Sequence, residues 1–130
     1  MKLFVMFVSF FSITLASAQQ GPIRFQPQTE IPHELQIFIQ ETLVRNCSAV
    51  RQNSVRLDEV QTTYERQQID QGIVDFYYTT LLKAYQVVGG TRTRFLGDVV
   101  IESAYYAFQA GENREVRSLK APSTLGCRPL

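Results

Sequence analysis

The chain has no tryptophan, a single histidine and only two cysteines among its 130 residues. Each scarcity removes a class of chemistry. Structural zinc takes four ligands, mostly Cys and His, and one histidine with two cysteines falls short of that set. A catalytic base needs a group that orients it and a nucleophile that it activates; the spacing around His33 offers neither. Charge of one sign is missing too, since 13 basic residues face 12 acidic ones. The basic excess that nucleic acid demands is therefore absent, and no nucleic-acid partner is expected. Long apolar runs are also missing, with one exception at the start.

That exception is Leu3 to Leu15, preceded by Lys2 and followed by Ala16-Ser17-Ala18. A positive start, a short apolar core and a small-residue cleavage pattern together read as a secretory signal peptide, residues 1–18. A spanning helix needs about 20 apolar residues, so no membrane span is expected after cleavage. Residues 19–130 then form a single exported domain, secreted or periplasmic, beginning at Gln19. In an oxidising compartment an even pair of cysteines reads as one disulfide, Cys47 to Cys127, against the alternative of two separate thiols. Asn46-Cys47-Ser48 also fits the glycosylation sequon, at a position that a bridged Cys47 would crowd.

Along the exported part, Pro22 and Pro27 bracket an extended lead-in in which Ile23 and Phe25 alternate with polar residues, enough for a short edge strand. From Pro32 the period changes: Leu35, Phe38, Ile39 and Thr42 recur at helical spacing, and Asn46 to Ser48 end the helix. Arg51 to Ser54 is a polar connector. Val55 to Gln68 alternates in a strand pattern whose parity flips, which predicts a bulge at Asp58-Glu59. Asp70-Gln71-Gly72 predicts a tight turn. Ile73 to Val88 also fits a helical stripe closed by Gly89-Gly90, but its Val, Thr, Tyr and Phe content favours strand.

Thr93 to Gln109, apolar on both sides around Val99, Val100 and Ile101, predicts a central strand, with a bend at Gly97. Residues 110–113 predict a turn, Glu115 to Ala121 a last strand, and Pro122 to Leu130 a tail. The sum is an α+β fold: one N-terminal helix packed on an antiparallel β-meander of about four strands.

No catalytic residue, metal or cofactor emerges from these patterns. Asp70 with Asp75, and Asp98 with Glu102, are carboxylate pairs of the kind acid–base catalysis uses, yet such spacings are also ordinary on solvated surfaces. The tyrosine doublets carry more information. Tyr77-Tyr78 and Tyr105-Tyr106 each put one phenol on either face of a strand, so one of each pair is expected in the core and the other in an aromatic recognition surface. Arg92 and Arg94 add a small basic rim beside Gly89-Gly90.

Gln86-Val87-Val88-Gly89-Gly90 resembles the Q-x-V-x-G motif of cystatins, exported inhibitors of papain-like cysteine proteases built as a helix wrapped by an antiparallel sheet. The resemblance implies a binding loop at Gln86, Val88 and Gly90, which with Gly21 near the N-terminus would wedge into a protease cleft. The sequence departs from that family elsewhere: it has no tryptophan for the Pro-Trp hairpin, and the motif falls well past the first strand after the helix. The leading expectation is an exported non-catalytic domain with a binding or structural role toward a protein partner. The alternative is a cystatin-type inhibitor.

Overall fold

The structure is a computed structural model and describes residues 21–70, 73–89, 92–108 and 111–130. The expected signal peptide at 1–18, the expected turn at Gln71-Gly72 and Gly90 lie outside the described residues. The elements in chain order are β1 (Ile23–Arg24), α1 (His33–Asn46), α2 (Ser48–Arg51), β2 (Val55–Asp70), β3 (Ile73–Gly89), β4 (Arg92–Phe108), β5 (Gly111–Lys120) and a 3-10 turn at Ser123–Leu125.

The fold is α+β, but its sheet has five strands in the order β1-β2-β3-β4-β5. The expected four-strand antiparallel meander and single helix need correction at two points. First, Ile23 is only 1% exposed, and burying it pins β1 to the sheet edge. The chain then returns through α1 before entering β2, so β1 lies parallel to β2, Ile23 opposite Leu57; a parallel neighbour requires such a crossover. Second, the extended backbone of Cys47 interrupts the helix, and the chain winds one further turn, α2, that buries Val50. Of the connector Arg51 to Ser54, only Arg51 joins this turn, and Gln52 to Ser54 lead on to β2.

The long strands follow from side-chain parity. In β2, Val55, Leu57 and Glu59 are buried, and a register shift between Glu59 and Gln61 inserts Val60 as the extra residue. Thr62 and Tyr64 thereby inherit the helix-facing side, one residue later than the sequence pattern indicated. β3 is laddered to β2 and β4 along nearly its whole length, which decides strand over helix for Ile73 to Val88. Gly111 to Asn113 belong to β5 and not to a preceding turn. Gly97 has φ 143°, and a Cβ there would come within 2.7 Å of the Pro122 ring; the close approach seats the tail over the bulge.

α1 buries Leu35, Ile39, Thr42 and Leu43 against Leu57, Leu82, Val99 and Ile101 of the sheet, with Leu125 closing the cluster. Fourteen helical residues span about 21 Å at 1.5 Å each, while the 17 residues of β3 extend about 55 Å. The helix therefore covers under half of each long strand. β2 records the boundary: Val55, Leu57 and Glu59 are buried, whereas residues 63–68 are exposed on both faces.

The disulfide joins Cys47 to Cys127 across 80 residues. Flanking it, the Ser48 N–H donates to the Gly126 carbonyl at 3.2 Å and the Arg128 N–H to the Asn46 carbonyl at 2.9 Å. The C-terminal tail is thus held to the end of α1 by a covalent bond and two backbone hydrogen bonds.

Candidate functional site

Because cross-strand partners share a face, the register assigns each tyrosine to a side. Tyr78 lies opposite Tyr64 and Ser103 on the helix-facing side. It is 5% exposed, and its ring is 6.0 Å from that of Tyr64. Tyr105, on the same side, packs against the core. Tyr77 and Tyr106 point to the opposite face, where both are half-buried and no helix lies among the described residues. Their rings meet edge to face at 6.4 Å.

Ala104 stands opposite Tyr77 in the register and is fully buried. The register shift between Glu102 and Ser103 in the β4–β5 ladder sets Arg117 and Glu115 beside these rings. The Arg117 guanidinium stacks 5.1 Å over the Tyr77 ring, a favourable cation–π geometry. The Tyr106 hydroxyl donates to Glu115 Oε2 at 2.6 Å. That bond, with partial desolvation second, pushes the Tyr106 phenol up to about 12.

Asp75 completes the cluster. It is 2% exposed, accepts from the Tyr77 hydroxyl at 3.2 Å, and its Oδ1 has no hydrogen-bond partner among the described residues. A buried oxygen left without a partner costs free energy, which marks this spot among the polar groups of the sheet. Desolvation, and next the Asp75 charge, hold Tyr77 above its ordinary 10; Tyr78 is raised by burial, then by its neighbours Tyr64 and Glu30.

The sequence named Asp75 only as a partner of Asp70 and did not single out Glu115 or Arg117. Their grouping depends on which residue each bulge skips, and a period-two pattern read one strand at a time does not carry that information. A second aromatic group, also missed, lies nearer the β3–β4 connection. Tyr85 and Phe95 sit 5.7 Å apart, with Arg56 over the first ring and Lys83 over the second.

The remaining candidates are dispersed. Gln86, Val88, Arg92 and Arg94 line the two strands leading to the β3–β4 connection, where Arg94 Nη2 donates to Gln86 Oε1 at 2.6 Å. Val87 and Val88 there are 46% and 57% exposed. Gly21 precedes β1, which runs parallel to β2, so it falls at this same end of the sheet. His33 is exposed at the start of α1, and Asp98 stands opposite Lys83, away from Asp75. No group of His, Cys, Asp or Glu able to hold a metal occurs among the described residues. Nor is any helix there long and apolar enough to cross a membrane. Compared with protein-family models, curated proteins and solved structures, the chain matches none.

Proposed function

We propose that the protein is an exported, non-catalytic binding module that contacts a protein partner through the open sheet face around Tyr77 and Tyr106. The observation that carries this reading is the half-buried pair of phenols framed by Arg117, Glu115 and Asp75. Aromatic rings with polar tips, flanked by charges of both signs, are the composition of recognition surfaces. The disulfide is compatible with an oxidising, extracellular setting. The test is a pull-down from the native extracellular fraction, comparing wild type with a Tyr77→Ala/Tyr106→Ala variant of unchanged fold. A partner lost only with the variant is the expected result. Hydrolytic activity that survives repurification and vanishes in Asp75→Asn would overturn the non-catalytic reading.

One observation favours the cystatin-type alternative: Gly21 and the exposed Val87-Val88 segment lie at one end of the sheet, the arrangement an inhibitory wedge needs. Against it, the motif connects the second and third strands after the helix, not the first two. Titration against papain separates the readings. Micromolar inhibition abolished by Val88→Asp favours the wedge; no inhibition leaves the tyrosine face as the binding surface.

A further inference from the structure

A separate cleft of about 500 Å³ opens where α1 ends, lined by Val44, Arg45, Asn46, Ser48, Arg51, Gly126 and Arg128. Its size falls within the range of small-ligand sites. Three of the lining residues are arginines and none is acidic. No ion pair to Arg45, Arg51 or Arg128 exists among the described residues.

Two of the guanidiniums have a structural task. Arg51 donates through Nε to the Val44 carbonyl at 3.2 Å and through Nη2 to the Arg45 carbonyl at 3.1 Å. Arg128 Nη2 donates to that same Arg45 carbonyl at 3.1 Å. They cap the helix end, and the negative end of the helix dipole favours them there. A helix C-terminus, however, is worth about half a negative charge. Three full positive charges exceed it severalfold, and two converge on one oxygen. Each guanidinium has five N–H donors, so most remain free to bind, and among the described residues the Arg45 side chain caps no carbonyl.

We propose that this cleft is an anion site that takes a tetrahedral oxyanion, phosphate or sulfate, either free or as an ester on a larger ligand. Guanidinium forks match such oxygens bidentately, and the anion supplies the counter-charge the protein omits. The disulfide builds the site: Cys47 fixes the segment carrying Arg45 and Arg51, and Cys127 fixes Arg128. The backbone bond from Arg128 to Asn46 sets the two walls against each other. Reducing the disulfide therefore weakens the site by freeing Arg128.

The experiment is titration of the oxidised protein with inorganic phosphate, followed through the arginine Nε–H resonances, with sodium chloride at matched ionic strength as the control. Saturable binding is expected, with a dissociation constant of about 1 mM or tighter, centred on Arg45, Arg51 and Arg128. Arg45→Ala is expected to weaken it about tenfold while leaving the phosphate-free melting temperature unchanged, because Arg45 caps no carbonyl. Repeating the titration with a phosphate monoester separates the two sources. Binding of the ester at least as tight as of the free ion assigns an esterified ligand, and preference for the free ion assigns the ion itself. Non-saturable shifts, equal shifts with chloride, or undiminished binding in Arg45→Ala would each overturn the proposal.

Discussion

The two halves of the sheet are made of the same strands and held by different forces. Near α1, each strand turns one face into a dry cluster: Leu57, Leu82, Val99 and Ile101 are fully buried, and the disulfide and tail close the end. Past Thr62 the same β2 emerges into solvent on both faces. There the core narrows to Tyr78 with Phe76 and Tyr105 against it, and side-chain pairs add to the ladder: Tyr64 with Tyr78, Tyr77 with Tyr106, and Arg117 over Tyr77. Hydrophobic burial scales with area removed from water, whereas an individual cross-strand pair contributes about 0.2–1 kcal/mol. The covered half therefore supplies stability, and the open half presents side chains.

The largest effect expected from this contrast is loss of the disulfide. Cys127→Ser with Cys47→Ser releases a loop of 80 residues, and the chain-entropy relation gives a loss of about 4–5 kcal/mol. Denaturant unfolding of the oxidised wild type and the double variant measures it. A loss below about 1 kcal/mol would place the stabilising weight elsewhere than the covered end.

A paired substitution tests the contrast directly. Leu82→Ala, in the dry cluster, is expected to cost about 2–5 kcal/mol. Tyr64→Ala, 52% exposed on the open half, is expected to cost under about 1 kcal/mol. Comparable costs would show that the open half carries a core of its own.

The sequence makes the covered half easier to read than the open one. Leu35, Ile39 and Thr42 announce α1 because a buried stripe repeats at helical spacing, and Cys47 and Cys127 announce their bond because two cysteines allow a single intramolecular pairing. β1 was harder to place: two residues carry too little pattern, and its parallel pairing comes from the path of α1 and not from Ile23 itself. The tyrosine doublets disclosed that each strand has two aromatic faces. That Asp75, Glu115 and Arg117 join them stayed hidden because strand-to-strand register depends on five separate shifts, two in the β2–β3 ladder, two in β3–β4 and one in β4–β5. The arginines of the cleft were equally unreadable, since Arg128 meets Arg45 only through the disulfide.

At the border between the halves, Glu59 provides a smaller test. It is 6% exposed and accepts from the Gln26 N–H at 2.7 Å, from the Thr29 hydroxyl at 2.6 Å and from the Thr62 hydroxyl. Gln26 Nε2 in turn donates to the Glu59 and Val60 carbonyls at the bulge. One carboxylate thus fastens the loop between β1 and α1 to the sheet where the helix cover ends. Glu59→Ala leaves the Gln26 N–H and the Thr29 hydroxyl without this acceptor, while Thr62 keeps Thr80 Oγ1 at 3.1 Å, and is expected to cost about 1–3 kcal/mol. Amide exchange at Gln26 should accelerate while that of Leu82 tracks global stability. Unaltered protection at Gln26 would show that β1 alone holds the loop.

The smallest expected effect is a change of charge on the open face. Tyr106 is neutral while it donates to Glu115, and ionising it would place a phenolate against that carboxylate, which is why its pKa rises from 10 to about 12. The folded state consequently keeps a proton that the unfolded chain gives up sooner. The stabilisation is fully present below pH 10 and is lost as pH rises through about 12, since the unfolded state binds fewer protons across that window. Partial exposure screens the interaction, so the gain is modest. Phenolate absorbance during an alkaline titration should show a late-ionising tyrosine that disappears in Tyr106→Phe and moves back toward 10 in Glu115→Gln. A wild-type titration in which the group lost in Tyr106→Phe has its midpoint near pH 10 would mean that the Tyr106–Glu115 bond does not persist in solution. The open face would then present two independent rings in place of a braced pair.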